Sequence, residues 1–314
     1  GFLGPSPEQI AALSDRWTTR EIAIAAGVPV IPGSAPIYNL HELREPRERL
    51  GLPLWIKDAW GLSAELARTD RQLATSITER IHAGQKVWVE QHIEGARHVV
   101  VHFVGGEDEA VPLGVCERAA RHQDKLALDR LPASIEPGLA TSIQDAAVGF
   151  AEAVQYRGLG SVGFLVDEAG GAFCLGLRPR LSIGGLLVDE VQGLRSPELQ
   201  LRMALGESLG WRREDLKPKG HALGVRVRAR SGGVVESIEV PPDARFETHL
   251  SPGMKASGLL GVLVATGPTA QAAVVRALAA LRGLRIAGVD VDNEPLVSAL
   301  GDPRLWAGAP MPTE

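Results

Sequence analysis

The apolar positions of the chain follow two periods, one of about 3.6 residues and one of about two, and the switches between them divide it into helices and strands. Ser6–Ala26 reads as a helix, with Ser6 as its cap, Pro7 in its first turn and Gly27 closing the pattern. Leu54–Ala59 (LWIKDA) is an apolar run of strand length, and Ala64–Ala83 carries apolar residues at helical spacing with Gly84 as its cap. Val99–Val104 and Val111–Cys116 alternate like paired strands across a Gly-Gly-Glu-Asp turn, and Leu139–Val154 is an amphipathic helix. Ser161–Asp167 and Ala172–Leu177 form a second hairpin around Glu-Ala-Gly-Gly. Asp189–Leu205 reads as helix. His221–Arg230 reads as a half-buried strand with Val225 and Val227 set against Arg226, Arg228 and Arg230. Leu259–Ala265 and Ala270–Leu281 complete the pattern as a strand and a helix, and no repeat, low-complexity tract or zinc spacing interrupts it.

Composition narrows the class. The chain has 314 residues, 45% hydrophobic and 23% charged, enough for two domains with cores. A net charge of -5 gives no reason to expect nucleic acid or an anionic membrane as partner. Cys116 and Cys174 cannot make a disulfide framework and point to a reducing cytoplasm. Their apolar surroundings suit buried small hydrophobes. The longest apolar stretch, around Gly258–Thr266, has the length of a strand and not of a membrane span.

Two places carry chemistry. Lys57 lies inside an apolar strand, where an ammonium is costly without an anionic partner. The hairpin of Ser161–Leu177 runs into a polar loop with Arg178 and Arg180, then Gly184-Gly185. Such a loop on a rigid base fits an active site, and it fits a hairpin with solvated arginines equally well.

The stretch Gly160–Gly185, GSVGFLVDEAGGAFCLGLRPRLSIGG, resembles the ATP-grasp core of biotin carboxylase, the ATP-dependent subunit of acetyl-CoA, propionyl-CoA and pyruvate carboxylases. The likeness extends over nearly the whole chain. It implies an α+β fold, an ATP-grasp core with a smaller C-terminal β-rich domain of the biotin carboxylase type. Residues 1–30 would be a remnant of the linker to an N-terminal subdomain, 31–216 the ATP-grasp domain with a lid subdomain at about 31–92, and 217–314 the C-terminal domain. GFLGPSPE resembles an internal segment of the family just after its N-terminal nucleotide-fold subdomain, as either a fragment or a protein without that subdomain would.

The resemblance assigns residues in turn. Ser14-Asp15-Arg16 stands at the family's Gly-Asp-Lys, where the Lys lies near ATP, and VPVIPG matches its next strand and turn. Lys57 is the Lys that contacts nucleotide phosphates. VWVEQHIE resembles the adenine-binding hinge, with Glu90, Gln91, His92 and Ile93 at its positions, and Arg97-His98 matches the family's Arg-His pair. His122 matches a family His, and Lys125 stands for the Lys that contacts bicarbonate. Arg178, at the family's Asn, and Ile183 are substrate-binding positions. Arg180 and Arg226 are the catalytic arginines, Arg226 contacting biotin and bicarbonate.

The same frame has lost much of the family's chemistry. Gly163 and Gly176 stand where two Glu bind metal, and Gly184 where the general base should be. Magnesium is a hard ion that prefers oxygen ligands, and glycine supplies no side chain. The phosphate lid needs several glycines for close backbone approach, and Trp60-Gly61-Leu62-Ser63 has one. Three missing carboxylates and the added Arg178 leave the centre about four charges more positive. The resemblance therefore implies ATP as cofactor in a weakened site, puts magnesium in doubt, names no metal ligand, and gives biotin as the family substrate.

Two readings of different class follow. In one the chain is a noncatalytic relative that keeps an anion pocket of Lys57, Arg178, Arg180 and Arg226 and acts as a structural partner of a carboxylase. In the other it is a working ATP-grasp ligase that draws metal oxygens from Glu117, Asp167 or Asp189, none at the expected spacing. A divergent sequence under no functional constraint is a third. The implied partners are a biotin carboxyl carrier or carboxyltransferase subunit, with a homodimer as in many family members.

Overall fold

The structure is a computed structural model that describes residues 3–60, 64–106, 109–122, 125–207, 210, 212–242, 244–291 and 293–307. The expected α+β fold is present. The chain opens with α1 (Pro7–Ser14) and α2 (Arg16–Ala25), two helices where the periodicity predicts one. Ser6 and Gln9 form a reciprocal capping box on α1. Asp15 then takes an extended conformation and its carboxylate accepts from the Thr18 N–H, starting a new helix.

After α3 (Arg44–Leu50) come β1 (Leu54–Asp58), β2 (Glu65–Ala67), α4 (Asp70–His82) and β3 (Val87–Gln91). These strands form a small antiparallel sheet in the order β2-β1-β3, and α4 covers it through Leu73 and Ile77. The helix predicted from Ala64 begins only at Asp70. Thr69 caps it, and Ala67 is fully buried opposite Leu54 in the sheet.

The middle of the chain gives β4 (Arg97–Gly105), β5 (Ala110–His122), β6 (Lys125–Leu131), α5 (Pro137–Ala153), β7 (Gly158–Val166) and β8 (Ala172–Arg178). Strand β5 runs past the predicted end at Cys116, and the charged segment beyond it pairs with β6 as a hairpin. Ala119, Ala120, Ala127 and Leu128 give it buried apolar positions that the charges around them obscure in sequence. Next come α6 (Gly184–Gln192) and α7 (Ser196–Ala204), again in place of one predicted helix. Gly193 ends α6 in the left-handed region at φ 69°, and the Asp189 carboxylate accepts from the Ser196 N–H at the start of α7.

The last part contributes β9 (His221–Arg228), β10 (Gly233–Val234), β11 (Ser237–Glu239), β12 (Arg245–Glu247), β13 (Lys255–Ala256), β14 (Leu259–Gly267), α8 (Ala270–Gly283), β15 (Arg285–Ala287), α9 (Glu294–Gly301) and α10 (Pro303–Ala307). Strands β9, β14 and β12 join β4–β8 in an eight-stranded antiparallel sheet, ordered β12-β14-β9-β6-β5-β4-β7-β8. Helix α5 packs on one face of the β4–β8 half, α6 and α7 on the other, and α8 covers β9 and β14. The segment between α2 and α3 ties the two sheets, since Val30 bridges to Cys174 of β8 and Gly33 to Glu90 of β3. Cys116 and Cys174 are free and buried. Among the described residues no helix is long and apolar enough to cross a membrane.

Candidate functional site

Directly opposed residues of antiparallel strands point to the same face, so register alone gathers the site. His102, Ser161 and Arg178 form one rung across β4, β7 and β8. Val100, Gly163 and Gly176 form the next, with Cys116 of β5 on the other side of Val100. Further along, Arg118 pairs with Asp129, and Asp129 with Gly224. The N-terminus of α6 lies over this face: the Cys116 thiol is 3.6 Å from the Gly184 carbonyl oxygen.

Of the three positions where the resemblance expects carboxylates, Gly176 and Gly184 are closed to a side chain and Gly163 is not. A Cβ at Gly163 would stand 3.5 Å from Arg178 Nη1 and 3.4 Å from His98 Nε2. Gly176 has φ +127°, which an L side chain rarely adopts, and Thr19 Cγ2 of α2 would lie 3.1 Å from its Cβ. A Cβ at Gly184 would meet His102 Nε2 at 2.6 Å. Arginine, threonine and histidine side chains therefore stand over the three positions.

The charge on this face is positive. Arg178 is half-buried, and desolvation, then Arg118, Arg180 and Arg16, bring its guanidinium down to about 10. Arg16 opens α2, and its backbone N–H donates to the Ala59 carbonyl oxygen at 2.7 Å, which sets it at the end of β1. Two residues back, Lys57 is half-buried with its ammonium 5.0 Å from the centre of the Trp55 ring. Burial lowers the Lys57 pKa, Glu90 and Asp58 oppose that, and Arg16 adds to it. His102 is buried and pushed down to about 4 by desolvation, Arg118 and Arg178, so it is neutral at physiological pH. Its Nδ1 lies 3.4 Å from Ser182 Oγ. Ser161 is completely buried and its hydroxyl has no hydrogen-bond partner among the described residues. Arg180 is exposed and lines a small cleft with His102 and Ser182, and Ile183 is half-buried at the cap of α6.

The hinge segment lies on the other side of Lys57. Glu90 is buried, and its Oε1 accepts from Arg20 at 3.2 Å and from the Trp88 indole at 2.9 Å. Gln91 is exposed at the end of β3, with its backbone N–H bonded to Pro32. His92 Nδ1 accepts from the Trp55 indole at 3.1 Å, and Ile93 follows half-buried. Arg20 and Trp55 were absent from the sequence expectations. Arg20 lies one helical turn after Arg16, and Trp55 two strand positions before Lys57, so each shares a face with a residue that was singled out. His102 and Ser161 were missed because an isolated His or Ser within a strand carries no motif.

Other expected residues are placed differently. Arg226 lies on the site face, but its Nη2 donates to Asp129 Oδ2 at 2.7 Å, so an internal carboxylate meets its charge. Arg228, on the arginine side of its strand in the sequence pattern, is half-buried. His122 and Lys125 are paired at the tip of the β5–β6 hairpin by backbone register; their side chains lie outside what is described, as do residues 61–63 of the expected phosphate lid. The three carboxylates considered as substitute metal ligands are engaged elsewhere. Glu117 binds Arg97 and Arg130, Asp167 accepts from the Gly171 N–H, and Asp189 holds Ser196. Glycines and arginines line this face, and among the described residues no group of three or more His, Cys, Asp or Glu side chains is placed to hold a metal ion.

Residues 15–212 match the family described as "Carbamoyl-phosphate synthase L chain, ATP binding domain". The chain is 27% identical over 330 residues to biotin carboxylase 1 of Populus trichocarpa chloroplasts, covering 96% of this chain and 62% of that protein. It is 30% identical over 341 residues to human mitochondrial pyruvate carboxylase, covering 98% of this chain and 29% of that protein. It thus spans about three fifths of the plant relative. Among solved structures it resembles the biotin carboxylase domain dimer of Hydrogenobacter thermophilus 2-oxoglutarate carboxylase, in complex with MgADP, ADP and bicarbonate. The TM-score is 0.91 at 23% identity, over 99% of this chain and 74% of that one.

Proposed function

The chain belongs to the biotin carboxylase family of ATP-grasp proteins, and from that premise we propose that it binds an adenine nucleotide without performing metal-assisted carboxylation. The observation that carries this reading is the cross-strand pair Gly163–Gly176, which lies in register where the resemblance expects two metal-binding carboxylates. Phosphoryl transfer in ATP-grasp chemistry depends on cations that bridge phosphate oxygens, and those cations need carboxylates to hold them. A general base within reach of the acceptor is needed as well, and His102 stands over Gly184 at the position the resemblance gives to it.

The nucleotide reading rests on the hinge and on Lys57. In it, residues 90–93 hold the adenosine end and the Lys57 ammonium faces phosphate, an anion that suits a half-buried cation without a salt-bridge partner among the described residues. The nucleotide would supply an adenine ring and a polyphosphate tail; the chain supplies orientation and positive charge. Its partners in this reading are a biotin carboxyl carrier or carboxyltransferase subunit, and a second copy of the chain. The division into residues 31–216 and 217–314 is part of the same proposal.

The experiment is an equilibrium titration of the purified chain with ATP, ADP and GTP. Saturable binding of the adenine nucleotides, weakened at least tenfold in Lys57→Gln, is the expected result (about 1.4 kcal/mol). Absence of adenine-nucleotide binding with and without Mg²⁺ would overturn the reading.

A further inference from the structure

We propose that the Arg178 guanidinium takes the place of the family's divalent cation, so that this face binds a polyphosphate anion free of metal. The inference rests on the nucleotide reading above and goes on to name the ionic form of the ligand. Three independent observations carry it.

The first is the environment of Arg178. A half-buried guanidinium is costly unless a carboxylate pairs with it. Among the described residues none does, and its charged neighbours are Arg16, Arg118 and Arg180. The carboxylate on the same face, Asp129, is bound by Arg226 and also faces Arg118, and Glu90, which faces Lys57, is bound by Arg20. A half-buried guanidinium at Arg178, with no carboxylate partner among the described residues, marks a site that an external anion completes.

The second is position. Arg178 Nη1 reaches the space that a side chain at Gly163 would enter, and the Gly163–Gly176 pair leaves that space open for it. The cation is thus fixed to the sheet at the place where the resemblance puts metal ligands. Arg16 lies within electrostatic range of both Arg178 and Lys57, which makes one cationic strip from β1 to β8. The third is Ser161, whose hydroxyl is fully buried, unpartnered, and on the same rung as Arg178. Buried hydroxyls are seldom left unsatisfied, and this one is available to donate to an oxyanion or to a water held beside it.

A ligand of this strip brings its own negative charge. Nucleotide polyphosphate without magnesium has it, and so does inorganic tripolyphosphate. Magnesium complexed to the phosphates would bring a second cation against Arg178 and weaken the complex. The relation between metal and affinity is therefore reversed with respect to a magnesium-dependent ligase.

The test is calorimetric titration of the intact chain with ATP and with tripolyphosphate, each in EDTA and each in excess Mg²⁺, repeated on Arg178→Gln. We expect binding of both ligands in EDTA, affinity lowered about fivefold or more by Mg²⁺, and a roughly tenfold loss in the variant. Thermal melting of Arg178→Gln guards against misfolding: relief of like-charge contact should leave its melting temperature unchanged or higher, while added tripolyphosphate should no longer raise it. ATP binding without tripolyphosphate binding would assign the affinity to the adenosine end and overturn the inference. Nucleotide binding that requires Mg²⁺ would also overturn it while leaving the nucleotide reading intact, and no binding under any condition would overturn both.

Discussion

Arg178 Nη1 stands 3.5 Å from the point at which a Cβ on Gly163 would project, so a guanidinium lies beside the position where the resemblance expects a carboxylate. A carboxylate returned to residue 163 should meet the guanidinium before it meets any metal. The backbone there is not strained and the nearest contacts are ordinary van der Waals distances, so Gly163→Glu should fold. Its expected effect is loss of metal-free polyphosphate affinity by roughly tenfold, as one internal ion pair neutralises the cation. Titration with tripolyphosphate in EDTA measures it, and undiminished affinity would mean that Arg178 does not face the ligand.

A carboxylate at residue 176 or 184, the other positions where the resemblance expects one, is not accommodated so simply. Gly176→Glu forces a side chain onto φ +127° and against Thr19, at a cost of about 1–3 kcal/mol. Gly184→Glu meets His102 Nε2 at 2.6 Å, and overpacking of this kind costs about 1–3 kcal/mol. The clash is specific to one neighbour. Urea denaturation should therefore find Gly184→Glu partly rescued by His102→Ala, with a coupling energy that separates it from Gly176→Glu, which His102→Ala should not rescue.

His102 makes stability depend on pH. Its folded pKa, about 4, lies below the ordinary value of 6.5, so the folded protein resists protonation that the unfolded chain accepts. The contribution is fully present above pH 6.5 and is lost as pH falls through 4, amounting to roughly 3 kcal/mol across that window. Asp129, raised chiefly by burial, acts in the opposite sense in the acid range. The readout is thus the difference between the wild type and His102→Gln. The variant should show a flatter decline of melting temperature between pH 6.5 and 4, and equal slopes would refute the assignment.

Glu117 holds three donors in the interior: Arg97 at 2.8 Å, Arg130 at 2.8 Å and the Ser134 N–H at 3.1 Å. Glu117→Gln would take the carboxylate charge away from the buried Arg130 and the half-buried Arg97. Loss of about 3–5 kcal/mol in chemical denaturation is expected. A change under 1 kcal/mol, the scale of an exposed pair, would show that the network is solvated.

Strand and helix positions were legible wherever the apolar pattern was long. The hairpin around residues 168–171 and the strand of Lys57 stand where the sequence puts them. The breaks at Asp15 and Gly193 were hidden because apolar spacing continues across them, and only the capping geometry reveals the interruption. The β5–β6 extension was hidden by its charges. In the candidate site, the resemblance singles out Lys57, Glu90, Arg178 and Gly163, but not what each residue touches. That Asp129 holds Arg226, that Arg20 and Trp88 hold Glu90, and that Arg178 fills the space beside Gly163 are consequences of strand register and helix placement. Arg20, Trp55, His102 and Ser161 belong to no motif and emerge only when the sheets bring them together.

The most direct measurement of the central claim is phosphate release by the purified chain supplied with ATP, Mg²⁺, bicarbonate and free biotin. The account predicts no release above a protein-free blank and no response to bicarbonate or to biotin. Bicarbonate-dependent release that rises with Mg²⁺ and with enzyme concentration would contradict it, and would mean that other carboxylates hold the metal.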